Sequence, residues 1–402
     1  MPDHAIPSHH RMPPLIHVAT DEKFVDMGFR EFEAIAPGRN RLIIPGGPRP
    51  LRHVKSPQTE FASTTELRRL LRTARGGPVI FHSLPDAMLD LLPTIPRERC
   101  VLWIGWGYDY YSRLLASAFP HGLLLPQTLG LMTTRPRRPL PERAMRQFRR
   151  HMNALVSGTC GTRRHALARV DYFSPVLETE FGMAHNLNPW FQARHLDWNY
   201  GTLDDFALPA GVDLSTPGNS ILIGNSATPE NNHLEIFDLL AQIGTGNRRI
   251  VVPLSYGDDW YRDRIIEAGQ ARFGTCFTPL VEYMPGQAYA SILADCGHAF
   301  MNHLRQQALG NICTLMLRGA SIYMHPASPL YQWLRSRGGQ IGSIGEIRNM
   351  TACALMAPLT EPARAANRAL VEDHYAPESR QSRTRAVIIA LYNHRAQKDE
   401  EK

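Results

Sequence analysis

Residues Ile221–Leu240 read ILIGNSATPENNHLEIFDLL, and this stretch decides the fold class. An apolar run from Ile221 to Ile223 stops at Gly224-Asn225-Ser226, polar residues follow, and an apolar-periodic segment begins at His233. A short unbroken apolar run bounded by glycine is the pattern of a strand buried on both faces, and a 3.6-residue period after it marks a helix. In open α/β sheets, ligands bind in the crevice beyond the carboxyl ends of such strands. Helix N–H groups and the helix dipole favour an anion there, a diphosphate for example. The same grammar also builds purely structural α/β units, so Gly224, Asn225 and Ser226 become candidate ligand contacts only in company. Asn232, with Glu235 three positions on, reads as a capping box for the helix.

The company comes from a second segment of the same kind, Met301–Asn311, MNHLRQQALGN, which follows the apolar run around Ala299-Phe300. A helical stretch, Ile312–Leu317, is closed by Arg318-Gly319, glycine being the expected residue just past a helix end. The run Ala320–Met324 is then another strand. His303, Arg305, Gln306 and Gln307 supply donors at the loop, and Gly310 and Asn311 open the helix. Arginine in particular grips phosphate with a planar fork. The plain alternative is a solvated loop with ordinary caps. Between these segments, Ile250–Gly257 (IVVPLSYG) ends a strand in a polar loop, where Tyr256 either stacks on a base or sugar or plugs the domain. Tyr283, after a strand near Val281, is a further candidate for the nucleotide pocket, whereas Met284 reads as core.

The first half repeats the alternation. Strands are expected at Leu15–Ala19, Leu42–Ile44, Val79–His82 and Cys100–Ile104, with helices through Phe24–Phe32, Thr64–Arg75 and Asp86–Leu92. Ser63 and Glu66 frame the second helix as a capping box. His17, within an apolar strand, reads as a satisfied core histidine. At the end of the fourth strand stands WIGWGYDYY, Trp103–Tyr111. Glycines permit a tight turn there, Trp106 and Tyr108 offer aromatic faces to a sugar, and Asp109 is placed either to deprotonate an acceptor hydroxyl or to cap the next helix. Asp21 and Glu22, after the first strand, are further acid/base candidates, and Lys23 joins Trp106 and Tyr108 on the acceptor side.

At 402 residues the chain is too long for one ordinary core, so two domains are expected. Hydrophobic content of 43% and charged content of 20% fit a globular protein, and no apolar run approaches the roughly 20 residues of a spanning helix. The N-terminus lacks the basic-then-apolar signal of secretion. The six cysteines are scattered without a C-x-x-C pair, which fits reduced thiols in a cytoplasmic protein and indicates neither zinc nor a disulfide framework. Net charge is +7 with a pI near 9.2. Part of the excess is local: Arg135, Arg137, Arg138, Arg143, Arg146, Arg149 and Arg150 cluster among Pro136, Pro139 and Pro141, ahead of a helix near Glu142. Beside the apolar loop Phe119–Pro126, this suits an anionic membrane surface better than a nucleic-acid groove, and it is equally the pattern of a solvated basic helix face. No nucleic-acid module is recognisable. Asp258-Asp259 and Asp204-Asp205 are adjacent pairs, not an Asp-x-Asp metal motif; no metal and no cofactor are expected.

Five blocks, LIHVATDEKF from Leu15, WIGWGYDYY from Trp103, ILIGNSATPENNH from Ile221, VVPLSYG from Val251 and HLRQQALGN from His303, together resemble the TDP-N-acetylfucosamine:lipid II N-acetylfucosaminyltransferase family, also called the 4-alpha-L-fucosyltransferase family. The short loop Ala19–Phe24 is closer to the wider polysaccharide-cluster relatives than to the enterobacterial members. The resemblance implies a GT-B glycosyltransferase fold, two Rossmann-like domains facing each other across a cleft, with the nucleotide-sugar donor held by the C-terminal one. It further implies a TDP-activated acetamido-dideoxygalactose, a lipid-linked saccharide acceptor, and peripheral attachment at the cytoplasmic face of the bacterial inner membrane. The expected organisation is a disordered tail (1–13), an acceptor-binding domain (14–200), a linker (201–218), a donor-binding domain (219–378) and a C-terminal helix with charged tail (379–402). A nucleotide-sugar epimerase and a non-catalytic nucleotide-sugar-binding module stay open as alternatives.

Overall fold

Strands that carry apolar side chains at every position can only sit inside a sheet covered on both faces, and the chain builds two such sheets. A computed structural model describes residues 13–136, 160–206, 211 and 218–400. The first sheet holds β1 Leu15–Ala19, β2 Asn40–Pro45, β3 Thr59–Ala62, β4 Val79–His82, β5 Val101–Ile104, β6 Tyr172–Ser174 and β7 Arg194–His195. Its order is β3-β2-β1-β4-β5-β6-β7, with every described pairing parallel. The second holds β8 Ser220–Ile223, β9 Ile250–Pro253, β10 Phe277–Leu280, β11 Cys296–Met301, β12 Ser321–Met324 and β13 Gly342–Ser343, ordered β10-β9-β8-β11-β12-β13 and also parallel. Strands β1, β4, β5, β8 and β9 are buried at every residue, as their apolar runs require.

In both sheets the winding reverses once. The chain moves outward through β1, β2 and β3, then returns to lay β4 on the other side of β1; β8, β9, β10 and β11 do the same. At such a switch point the loops after the two central strands leave in opposite directions and open a crevice. The fold therefore designates two places: the loops after β1 and β4, and the loops after β8 and β11.

The chain divides into two compact units that are not sequential domains. Among the described residues, the first comprises the chain up to Ala118, the stretch to Thr202 and everything from Pro377 on; the second comprises the segment beginning at Phe119 and Leu203–Ala376. One boundary thus differs from those read off the sequence, and the C-terminal helix, set apart in that reading, gains a unit. Phe119 to Pro136 packs with the second unit, because Leu131 and Met132 of the helix Pro126–Thr133 join the apolar core of that unit. The final helix, Pro377–Glu400, packs with the first: Val387, Ile388 and Leu391 lie in its core, and Arg380 donates to Glu31 at 2.6 Å. Of the expected linker, Leu203–Phe206 forms a 3-10 turn, and the rest is largely outside the described residues. The basic run after Arg135 is also outside them, through Arg150, as are residues 1–12 of the expected tail.

Inside the first unit a polar chain crosses the core. The Tyr200 hydroxyl donates to His82 Nδ1 (2.7 Å), His82 Nε2 to His17 Nδ1 (2.9 Å), and His17 Nε2 to Asn40 Oδ1 (3.2 Å), while Asn40 Nδ2 donates to Glu33 and to the Ala36 carbonyl. Only this direction satisfies each atom with both imidazoles neutral. His17 is indeed a satisfied core histidine. Burial holds its pKa at about 4 against an ordinary 6.5, the Asn40 bond offsetting part of the shift, and His82 lies well below the ordinary value through burial and then the charge of His17. Above pH 6.5, histidine is neutral in both folded and unfolded protein. Between 6.5 and 4 the unfolded chain takes up protons that the folded chain refuses, so stability falls as the pH drops. The expected slope is about 1.4 kcal/mol per pH unit for each such histidine. Urea unfolding at stepped pH is expected to show this loss, and His17→Gln to flatten it by one histidine's share; an unchanged slope contradicts the assignment.

Candidate functional site

At the β8–β11 switch point, two loops are laced together by side chains. Gly224 begins the first loop at φ 64°, where an added Cβ would lie 2.6 Å from Asn231 Oδ1 and 2.7 Å from His233 Nε2. The Asn231 side chain organises everything around it. Its Oδ1 accepts from the Asn225 backbone N–H and from His303 Nε2, both at 2.8 Å, and its Nδ2 donates to Ser226 Oγ (3.1 Å) and Thr228 Oγ1 (2.8 Å). That geometry places the proton of His303 on Nε2, and its pKa lies well below the ordinary value through burial, then the charges of Arg305 and His233. Gln307 Nε2 donates to Asn225 Oδ1 at 2.8 Å, and Asn225 Nδ2 donates to the Tyr256 hydroxyl at 3.0 Å. Tyr256 arrives from the loop after β9, which is drawn in by a parallel bridge between Ala227 and Gly257. Only glycine fits there: φ is 128°, and a Cβ would stand 2.5 Å from the Ala227 carbonyl carbon.

The sequence-predicted donor residues therefore converge in part. Asn225, Ser226, Tyr256, His303 and Gln307 form one hydrogen-bonded patch that begins at Gly224. Arg305 joins it through an ion pair with Glu230 and donates from Nη1 to the Gln306 carbonyl at 3.0 Å. Gly310 and Asn311 lie in the first turn of the helix Leu309–Arg318, which follows the left-handed Ala308, and Asn311 Nδ2 donates to the Tyr289 hydroxyl at 2.8 Å. Gln306 is 5% exposed. Tyr283 follows the edge strand β10, two strands from the switch point. Asn231, Thr228 and Glu230 escaped sequence reading; the Asn231-Asn232 doublet at a strand-end loop was the one local signal.

The expected capping box is not formed. Asn232 adopts φ 51°, and its side chain makes no cap bond. Instead, its Oδ1 accepts from the Leu125 N–H (2.8 Å), its Nδ2 donates to the Asn302 carbonyl (3.1 Å), and Asn302 Nδ2 donates back to its carbonyl (3.2 Å). Glu235 accepts from the Thr128 N–H and hydroxyl. The left-handed backbone turns both groups to tertiary partners, so Asn232 and Glu235 fasten the Pro126 helix. Asp258 is a cap, accepting from the Tyr261 N–H at 2.9 Å, and it also pairs with Arg135 at 2.7 Å.

The β1–β4 switch point of the first unit gathers the other candidates, and two of its carboxylates prove committed. Asp109 is 2% exposed. It accepts from the Leu84 N–H (2.9 Å), Trp103 Nε1 (2.7 Å) and the Trp106 N–H (2.9 Å), and burial pushes its pKa up against those three bonds. A general base needs an acceptor atom within reach of the substrate; this carboxylate pins the loop after β5 to the loop after β4 instead. Asp21 likewise accepts from the N–H groups of Arg52, His53 and Val54. Burial alone would raise its pKa, but those bonds and His53 hold it below the ordinary value. Glu22 is different. It is half-buried, and its pKa is raised first by burial and then by Asp21, with Lys23 opposing. Tyr108, 47% exposed, donates to Ser83 Oγ at 3.0 Å, and its hydroxyl is pushed up to about 12 by burial, then by Asp109 and Glu22. Ser83 holds φ 68° without being glycine, strained backbone of the sort that clusters at working sites. Phe24, Trp106 and Tyr200 pack edge to face or tilted beside them, with Phe24 42% exposed. Phe24, Ser83 and Tyr200 were not predicted.

One group among the described residues has metal-ligand composition: Cys100, Asp171 and His394. It lies where β5 and β6 begin, at the opposite strand ends. Asp171 already takes Arg169 at 2.7 Å and His394 at 3.2 Å, and Arg194 donates to His394 Nδ1. With two guanidinium groups on it, this is an ion network fastening the last helix.

Across nearly its whole length the chain superposes on solved structures of similar fold. It is similar to a UDP-forming alpha,alpha-trehalose-phosphate synthase from Burkholderia xenovorans (12% identity, 95% of this chain and 99% of that chain, TM-score 0.57). Similar too are WaaG, a glycosyltransferase involved in lipopolysaccharide biosynthesis (8%, 94% and 99%, 0.56), and Anabaena Alr3699/HepE in complex with UDP and glucose (9%, 96% and 98%, 0.52). The fold is GT-B. Residues 208–341 match the family model described as 4-alpha-L-fucosyltransferase, glycosyl transferase group 56. The matched stretch of this GT-B chain contains the whole β8–β11 switch point, and family match and fold together support a glycosyltransferase.

The assignment of Asp109 is directly testable. Asparagine keeps one acceptor oxygen but sets an NH2 against donors, so Asp109→Asn is expected to lose about 1–3 kcal/mol of stability in urea unfolding. A variant of native stability that has lost sugar transfer would return Asp109 to the role of base.

Proposed function

We propose that the protein transfers a deoxy-amino sugar of the N-acetylfucosamine type from a TDP- or other nucleotide-activated donor to a lipid-linked saccharide in bacterial surface polysaccharide assembly. The observation that carries the reading is the laced patch at the β8–β11 switch point, inside the segment that matches the fucosyltransferase family. Arg305 and the N–H groups at the start of the helix Leu309–Arg318 suit a leaving diphosphate, so in this reading the departing charge is stabilised without a metal ion. Gln307 adds a specific requirement. Its Nε2 is occupied, while its buried Oε1 has no partner among the described residues and suits a donor such as an imide N–H of the base or a sugar hydroxyl.

On the first unit, Glu22 is the carboxylate suited to take a proton from an acceptor hydroxyl: it is half-buried, its pKa is raised, and neither oxygen is committed to a loop as those of Asp21 and Asp109 are. Lys23, Trp106 and Tyr108 stand around it as acceptor contacts. Peripheral attachment to the cytoplasmic face of the inner membrane, through the Arg135–Arg150 region and an anionic lipid surface, belongs to the same proposal. No helix among the described residues is long and apolar enough to cross a membrane.

A panel of nucleotide-sugars with and without lipid-linked saccharides, read by mass spectrometry, tests this. Sugar transfer from a TDP-linked donor is the expected result. Donor conversion without acceptor identifies an epimerase, and binding without any turnover identifies a non-catalytic module. Arg305→Ala is expected to lower turnover and weaken TDP binding while the fold is kept. Glu22→Gln is expected to cut transfer about a hundredfold or more with TDP binding intact; equal loss of both would place Glu22 elsewhere in the mechanism.

A further inference from the structure

Nothing in the local sequence singles out Glu230, yet it is the residue that meets Arg305. Its carboxylate accepts from Arg305 Nε, joining the loop after β8 to the loop after β11. The two side chains are unequally placed: Arg305 is 12% exposed and Glu230 32%. A nearly buried guanidinium is held by a carboxylate that keeps one side in water. The backbone behind that carboxylate is firm, because the Glu230 carbonyl accepts from Asn232 Nδ2 at 3.1 Å and Pro229 opens the turn Pro229–Asn231. The loop backbone is thus held by contacts other than the Glu230 carboxylate.

We infer that Glu230 is an exchangeable counter-ion for Arg305, occupying the guanidinium while the donor edge is empty and yielding it to the diphosphate of the nucleotide. The inference rests on the reading of that edge as a nucleotide-sugar site. A guanidinium drawn out of water is stabilised by an anion beside it, and while the site is empty Glu230 supplies one. The Glu230 carboxylate, 32% exposed, keeps contact with water and gives a weaker hold than a fully buried partner would. A diphosphate brings several oxygens and can take two parallel N–H···O bonds from the same fork. The diphosphate therefore displaces the carboxylate, but each binding event gives up the Glu230–Arg305 pair. Affinity for donor and product alike is lowered by that exchange, and the returning carboxylate helps expel the nucleoside diphosphate left after transfer.

Isothermal titration of the full chain with TDP, UDP and inorganic pyrophosphate tests it, on the wild type, Glu230→Gln, Glu230→Asp, Arg305→Ala and the Glu230→Gln/Arg305→Ala double variant. Glu230→Gln is expected to bind TDP about five- to tenfold more tightly at low salt. It should also melt lower than wild type when empty and gain more from added TDP. Glu230→Asp should shift the same way by less, which serves if the glutamine variant folds poorly, and the double variant should show no gain over Arg305→Ala. Unchanged or weaker TDP binding by both Glu230 variants overturns the inference, since it would make Glu230 a fixed support for Arg305. If the wild type itself binds neither nucleotide nor pyrophosphate, the nucleotide-site reading fails and this inference with it.

Discussion

Where a parallel sheet reverses its winding, two neighbouring strands send their chains off in opposite directions, and the backbone cannot fill the space between. Everything distinctive about this protein follows from how that space is furnished. In the second unit the furnishing is one amide: Asn231 takes the Asn225 N–H and the His303 proton on its oxygen and gives its own protons to Ser226 and Thr228. Buried polar groups must be satisfied, and a network in which each member has one workable orientation also fixes a unique shape. Among the described residues, the non-glycine positions with positive φ, Ser83, Asn232 and Ala308, all sit on loops of the switch points. Strain is held on the loops that border the two crevices.

The two units solve the same geometric problem with different chemistry. The second presents amides, a guanidinium and the start of a helix, a surface complementary to negative charge. The first presents aromatic faces beside one uncommitted carboxylate, with Asp21 and Asp109 spent on holding loops. Acid side chains have one role in each case because an oxygen that already receives backbone N–H groups is both electrostatically settled and physically covered. Burial raises Asp109 and Glu22 alike, but only Glu22 keeps access to solvent.

Much of the β8–β11 edge was legible because its signals are local. A short apolar run ending in Gly224-Asn225-Ser226, a strand ending at Tyr256-Gly257 and the cluster His303–Gln307 each announce a strand end and a loop within about ten residues of chain. The Ser63–Glu66 capping box is of the same local kind and is present. Asn232 and Glu235 carry an identical signature and do something else, since the choice between capping their own helix and gripping Leu125 and Thr128 is made by chain more than a hundred positions away. Strands β3, β6, β7 and β13 were missed because they are short and include polar residues, and pairing alone makes them strands.

By itself, the order of apolar runs, glycines and helical periods determined that two parallel α/β sheets form and which loops border their switch points, because strand burial and helix periodicity are properties of neighbouring residues. Tertiary structure alone decided which polar groups on those loops remain available. Whether Asp109 or Glu22 can reach a substrate, whether Arg305 stands alone or against Glu230, and which unit claims Phe119 to Pro136 all depend on partners distant in sequence. Burial and hydrogen-bond satisfaction, which settle those questions, are fixed by what packs from elsewhere in the chain.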